Sequence, residues 1–161
     1  MSAIRSAAAA DLAAIETIIN AAAAKYRGVI PDDCWHEPYM ARTELEAEIA
    51  AGVNFSVHEN ELGIVGVMGL QDVRDVTLIR HAYVLPGCQG QGVGTALMGS
   101  LASKARSPLL VGTWAAANWA IRFYEGQGFR LVTQAEKDRL LNTYWTITPR
   151  QRETSVVLAR D

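Results

Sequence analysis

The sequence predicts an α/β domain built around a mixed sheet, on three observations. Apolar runs of strand length, over 76–85 and 109–114 above all, alternate with amphipathic stretches of helix length. A glycine-rich run, Gln89-Gly90-Gln91-Gly92-Val93-Gly94, joins one of those apolar runs directly to a helical pattern. The 161 residues suit one domain of ordinary size, so a single domain over 1–161 is expected.

Taken in order, Ile4-Arg5 reads as a short first strand. A helix follows, with Leu12, Ile15, Ile19 and Ala22 on one face and Asp11 in its first turn, where a carboxylate suits the helix dipole. Residues 25–40 are irregular, broken by Gly28, Pro31 and Pro38 and dense in Tyr26, Trp35, His36, Glu37 and Tyr39. A helix over 42–50 has Leu45 and Ile49 four apart and stops near Gly52. Residues 53–57 and 62–70 form a hairpin through Glu59-Asn60-Glu61, which puts His58 near an exposed turn. Gly63, Gly66 and Gly69 predict local irregularity in its second strand. A long strand over 76–85 leads into the glycine run. The helix beyond carries Val93, Leu97, Leu101 and Ala105 on one face and extends to about residue 106. Pro108 opens the very apolar strand 109–114, which reads as central. A helix over 119–127 ends at Gly128, and strands follow at 129–132 and 155–159. The order is β-α-α-β-β-β-α-β-α-β-β.

Composition removes several classes of function. Net charge is -2 with basic residues scattered along the chain, which argues against a nucleic-acid binder with a basic stripe. No window has the uninterrupted apolar length of a membrane helix, and the start lacks the apolar segment of a secretory leader, so a cytoplasmic protein is expected. Cys34 and Cys88 stand far apart without metal-ligand spacing; two free thiols and no metal are expected.

The glycine run carries the first functional signal. A strand that passes through glycines into a helix leaves free N–H groups at the positive end of the helix dipole, and there is no β-carbon to keep an anion away. A phosphate-bearing, nucleotide-like cofactor fits such a place; a tight turn without a ligand is the alternative. The run is not a dinucleotide fingerprint, because the GxGxxG spacing fails, and it lacks the Gly-Lys-Ser/Thr ending of a Walker A loop.

Together with the element order, two motifs resemble the GNAT superfamily of N-acetyltransferases over nearly the whole chain. Gln89, Gly92 and Gly94 fill the places of that family's acyl-CoA pyrophosphate loop, with Val84 and Pro86 ahead of it. The segment Ala120-Ile121-Arg122-Phe123-Tyr124-Glu125-Gly126-Gln127-Gly128-Phe129 is similar to its A-I-x-x-Y-E-x-x-G-F pattern. The resemblance implies a mixed, mostly antiparallel sheet of about 6–7 strands flanked by about four helices and splayed between the fourth and fifth strands. It implies acetyl-CoA as co-substrate, its pyrophosphate held by Gln89, Gly90, Gln91, Gly92, Val93, Gly94 and Thr95, and its pantetheine arm paired along Tyr83-Val84-Leu85. One departure stands out: the Asn that commonly precedes the motif tyrosine by seven residues is Ala117 here, and Asn118, one residue later, is either a displaced cofactor contact or a helix cap.

The activity implied is transfer of an acetyl group to a primary amine of a small molecule or peptide, by direct attack in a ternary complex. In that reading Tyr124 is the general acid that protonates the leaving thiolate, since a phenol, with a reference pKa of about 10, holds its proton beyond that of a thiol at about 8.5. The N–H of Val84 polarises the thioester carbonyl. His81 is the candidate base, against a structural histidine; strand alternation leaves open whether His81 or Arg80 and Ala82 face the gap, and a bulge is common there in the family. His36, Glu37 and Glu44 are rivals for the base. Trp35, His36, Tyr39 and Trp114 are candidate walls of the acceptor pocket, with Tyr144 and Trp145 closing it. Arg139, Arg150 and Arg152 are candidates to recognise a carboxylate or phosphate, but solvated surface is the reading favoured for them. The alternative function is a non-catalytic acyl-CoA sensor or partner-binding module. Neither nucleic acid nor membrane is expected as a partner, and a homodimer is the oligomer that relatives suggest.

Overall fold

The computed structural model describes residues 2–106 and 108–161. Along the chain lie β1 (Ala3–Ser6), α1 (Leu12–Ala23), α2 (Arg42–Ala50), β2 (Asn54–Asn60), β3 (Gly63–Val73), β4 (Val76–Val84), α3 (Val93–Ala102), β5 (Leu109–Trp114), α4 (Asn118–Gly126), β6 (Arg130–Leu131), α5 (Gln134–Tyr144), α6 (Pro149–Thr154) and β7 (Ser155–Arg160). The seven strands form one sheet in the order β1-β2-β3-β4-β5-β7-β6. Every neighbouring pair is antiparallel except β4–β5.

The α/β class and the mixed, mostly antiparallel sheet agree with expectation. The described residues hold six α-helices rather than about four. Both additions, α5 and α6, have little apolar periodicity and are held by polar ends. Thr133 caps α5 by accepting the N–H of Glu136 at 3.2 Å, and Thr148 and Gln151 form a capping box on α6 behind Pro149. Lys137 ties the two together, its ammonium donating to the carbonyl of Arg152 at 3.1 Å. The helix after the glycine run ends at Ala102, short of residue 106.

Helices cover both faces of the sheet. On one, Ile15, Ile18 and Ile19 of α1 and Leu45 of α2 pack on Phe55, Val57 and Val67. Ile49, a turn beyond Leu45, is instead 40% exposed. On the other face, Val93, Leu97 and Leu101 of α3 and Tyr124 of α4 pack on Val65, Met68, Ile79, Val111 and Leu158. Asp11 sits just ahead of α1, where its carboxylate accepts the N–H of Ala8 at 2.7 Å and the guanidinium of Arg5 at 2.7 and 3.1 Å. His58 is buried at 8% exposure, not exposed near a turn. β2 runs on to Asn60, so His58 lies inside the strand opposite Gly66, on the face that α3 covers.

Two irregularities in the sheet shape the site. β4 and β5 pair only over Thr77–Ile79 and Leu109–Val111; beyond Ile79 and Val111 the strands diverge. In the β3–β4 ladder Val67 faces Tyr83 while Gly69 faces Arg80, so Met68 alone opposes His81 and Ala82. That is a β-bulge, and within it His81 takes left-handed backbone, with φ 55°.

Gly66 lets α3 lie close to the sheet, because a β-carbon there would come within 2.6 Å of Val93 Cγ1 and 3.1 Å of Leu97 Cδ1. Gly66→Val is expected to destabilise the fold by about 1–3 kcal/mol in urea unfolding. Wild-type stability in that variant would contradict the close packing.

Candidate active site

Because β4 pairs with β3 on one side, the direction of its backbone groups is settled. The N–H of Leu85 bonds to the carbonyl of Val65 at 2.9 Å. In an antiparallel ladder successive residues point to opposite sides, so the N–H and carbonyl of Val84 face the gap toward β5. A cavity of about 400 Å³ fills that gap. Tyr83 and Val84 of the strand line it, as do Gln89, Gly90, Gly92, Val93, Gly94 and Thr95 of the loop and first turn of α3. Gln91 and Leu85, also expected at the cofactor, are not among its walls.

The loop leaves its backbone bare. Gly90 and Gly92 have φ of 78° and 82°, and no atom lies within 4 Å of a β-carbon added at either. Gly92 is the N-cap of α3, so the N–H groups of Val93, Gly94 and Thr95 are those of a first helical turn, without intrahelical partners. Gly94 packs against the Phe123 ring, which a β-carbon would approach to 3.2 Å, and this contact sets α4 against the loop. Among the described residues lining the cavity, none is Asp or Glu and Lys25 is the one Lys or Arg. Such a wall favours an anion.

Tyr124 lies in the same wall, 6% exposed, between the rings of Phe123 and Phe129 at 5.2 and 5.6 Å. Burial, helped by Tyr26, pushes its phenol well above the ordinary range. Ala117 occupies the N-cap of α4 without a side-chain cap bond. Asn118 opens the helix from an exposed position, so it is not the cap.

His81 borders this cavity and two more, of about 350 and 170 Å³, on the side of residues 33–44. Its Nε2 lies 2.5 Å from Oε1 of Glu48, and its ring stacks on Phe55 at 6.1 Å. Glu48 was not anticipated. Its signal was register: with Leu45 turned to the sheet, the residue three places on lies on the same side of the helix. The guanidinium of Arg80 donates to Glu48 at 2.9 Å and to Gln71 at 2.9 Å. Burial would raise the Glu48 carboxyl, but the hydrogen bond from His81 and the charges of His81 and Arg80 outweigh it and hold its pKa below the ordinary value.

Three of the four expected acceptor-wall aromatics gather around the fourth, Tyr39. Trp114 Nε1 donates to its hydroxyl at 2.8 Å, while Trp35 and His36 stack on its ring at 5.9 and 6.1 Å. His36, Tyr39 and Trp114 line the acceptor-side space, whereas Trp35 packs behind Tyr39 with Tyr26 and Ile30. Asn20 of α1 fixes this loop, exchanging hydrogen bonds with the backbone of Met40 at 2.8 and 2.9 Å. Tyr144 is not part of the pocket. It ends α5 near the start of β4, where its hydroxyl donates to Asp75 at 2.7 Å. Trp145 does reach the site, packing 3.5 Å from the position of a β-carbon on Gly112. Nor is Arg150 simply solvated, since it pairs with Asp33 at 2.9 and 3.1 Å across the pocket rim.

Residues 17–142 match the family model for the acetyltransferase (GNAT) domain. The chain belongs to this family. Solved structures of similar fold include the ribosomal-protein-S18-alanine N-acetyltransferase of Escherichia coli, at 20% identity and TM-score 0.68, covering 99% of this chain and 92% of that one. The PaiA N-acetyltransferase of Thermoplasma acidophilum, solved with coenzyme A, has 15% identity and TM-score 0.73, covering 100% and 99% of the two chains. YncA of Salmonella typhimurium, solved with its cofactor acetyl-CoA, has 20% identity and TM-score 0.69, with coverage of 100% and 94%. No curated protein sequence matches this chain. Among the described residues no group of His, Cys, Asp or Glu is arranged to hold a metal ion, and both cysteines are free. No described helix is long and apolar enough to cross a membrane.

The acetyltransferase site is thus rich in protonated phenols. Burial first, then neighbouring phenols, raises Tyr83 well above the ordinary value and Tyr39 to about 12; burial also raises Tyr26. Ultraviolet titration of the native protein should therefore show little phenolate at pH 10, where a urea-unfolded chain is about half ionised. Extensive ionisation in the native state at that pH would contradict the buried cluster.

Proposed function

We propose that residues 1–161 form one acetyl-CoA-dependent N-acetyltransferase domain that passes an acetyl group directly to a primary amine of a small molecule or peptide. The observation that carries this reading is the one cavity lined by the bare loop of Gly90 and Gly92, by Val84, and by Tyr124 and His81.

The residues present suit coenzyme A. The loop N–H groups and a wall without carboxylates among its described residues accommodate a pyrophosphate. The inward carbonyl of Val84, which Gln89 Nε2 approaches at 3.4 Å and which has a second lone pair, suits an N–H of an amide-rich arm. When bound, acetyl-CoA supplies an activated thioester carbonyl. The N–H of Val84 is then the donor for its oxygen. Tyr124 holds its proton at neutral pH and gives it to the departing sulfur. His81, reached from the side of Tyr39 and Trp114, takes the proton of the incoming ammonium. Conversion of the ammonium to an amine is required before its nitrogen can attack.

Tyr124→Phe is expected to lower kcat by about 100-fold while leaving acetyl-CoA affinity unchanged; unaltered kcat would remove Tyr124 from the acid role. Gly92→Asp, a residue that tolerates left-handed backbone, should fold yet lose acetyl-CoA binding, because its carboxylate meets the pyrophosphate. Retained affinity in the folded variant would overturn the loop assignment. Acetyl-CoA binding without thiol release for any amine would favour a sensor instead.

A further inference from the structure

We infer that Glu48 is a positioning residue: it fixes His81 in the tautomer whose Nδ1 accepts the proton of the incoming amine. The inference rests on the acetyltransferase reading above and adds to it the atom that acts as base and the residue that selects it.

The geometry leaves one hydrogen to place. Glu48 Oε1 and His81 Nε2 lie 2.5 Å apart, and one of the two must donate. Arg80, 2.9 Å from the same oxygen, keeps the carboxylate ionised, and an ionised carboxylate only accepts. The hydrogen therefore belongs to Nε2, and in the neutral ring the lone pair falls on Nδ1. No described residue hydrogen-bonds Nδ1, while His81 lines both the cofactor cavity and the two acceptor-side cavities. Proton transfer then balances simply: the ammonium loses a proton to Nδ1, leaving a neutral amine and an imidazolium whose Nε2–H remains on Glu48.

The surroundings favour a positioning role over a plain ion pair. Arg80 alone would tie α2 to the sheet through Glu48. His81 instead reaches the same carboxylate from a bulged residue with φ 55°, a conformation that persists only where neighbours hold it. Glu48 holds it from α2 and Phe55 from β2. Of the other charged groups around the acceptor-side space, Asp33 and Arg150 neutralise each other. Glu44 lies one turn before Glu48 on α2, and Arg80 is already engaged by Glu48 and Gln71.

The test is long-range proton–nitrogen NMR of the full-length protein at a pH where its imidazoles are neutral, with the His81 signal identified by its loss in His81→Asn. The expected result is protonated Nε2 and unprotonated Nδ1. In Glu48→Gln, whose amide can donate as well as accept, the signal should become a mixture of tautomers. In the same variant kcat should fall at least about tenfold with KM for acetyl-CoA unchanged. Protonated Nδ1 in the wild type overturns the inference, and that measurement stands even if the variant does not fold. An unchanged tautomer in folded Glu48→Gln overturns it equally. Protonated Nε2 in a wild type that acetylates no amine would instead sink the acetyltransferase reading and the base role with it, leaving only the contact.

Discussion

The site depends on the parting of β4 and β5. These strands are parallel neighbours, yet they pair through only three residues each before they diverge. Past that point each strand has one side paired, β4 to β3 and β5 to β7, and one side facing a gap. Backbone polar groups seldom remain without partners. A ligand that enters the gap and offers amides satisfies them, which is why a cavity at this place reads as a binding site rather than a packing defect. The bulge at His81 and Ala82 contributes to the same end, since a bulged strand bends and twists locally.

Function follows from what the gap holds. The helix start at Gly92 offers N–H groups to an anion, and no described residue of the wall is an acid to oppose it. The same wall holds a buried phenol that keeps its proton and an imidazole fastened to a carboxylate. A group that gives a proton and a group that takes one suit opposite sides of an acyl transfer. Burial disfavours the phenolate, so Tyr39 and Tyr83 stay neutral and hydrogen-bonding, and the charge on the acceptor side comes from Asp33, Glu44, Glu48, Arg80 and Arg150 around them.

Much of this was legible in the sequence where local chemistry decides structure. Gly92 marks a helix start because few residues take its backbone, and the apolar run over 109–114 reads as a central strand because Leu109, Leu110 and Val111, on alternate faces, are all buried. The segment around Tyr124 is equally local. What could not be read depends on partners distant in the chain. α5 has Leu140 and Leu141 as its buried apolar residues and relies on Thr133 and on Lys137 reaching Arg152. Tyr144 looked like a pocket aromatic until the end of α5 placed it at Asp75. Glu48 acquires its importance from a histidine 33 residues away in a bulge, whose side no alternation rule assigns. His58 lies inside β2 and not at an exposed turn because the length of that strand is set by its pairing with both β1 and β3.

The central claim is that the gap between β4 and β5 holds the acyl donor. Calorimetric titration of the purified protein with acetyl-CoA, with CoA and ATP as comparators, tests it most directly. The account predicts saturable binding of acetyl-CoA and CoA at one site per chain and none of ATP at the same concentrations. Absence of acetyl-CoA binding, or equal binding of ATP, would contradict it.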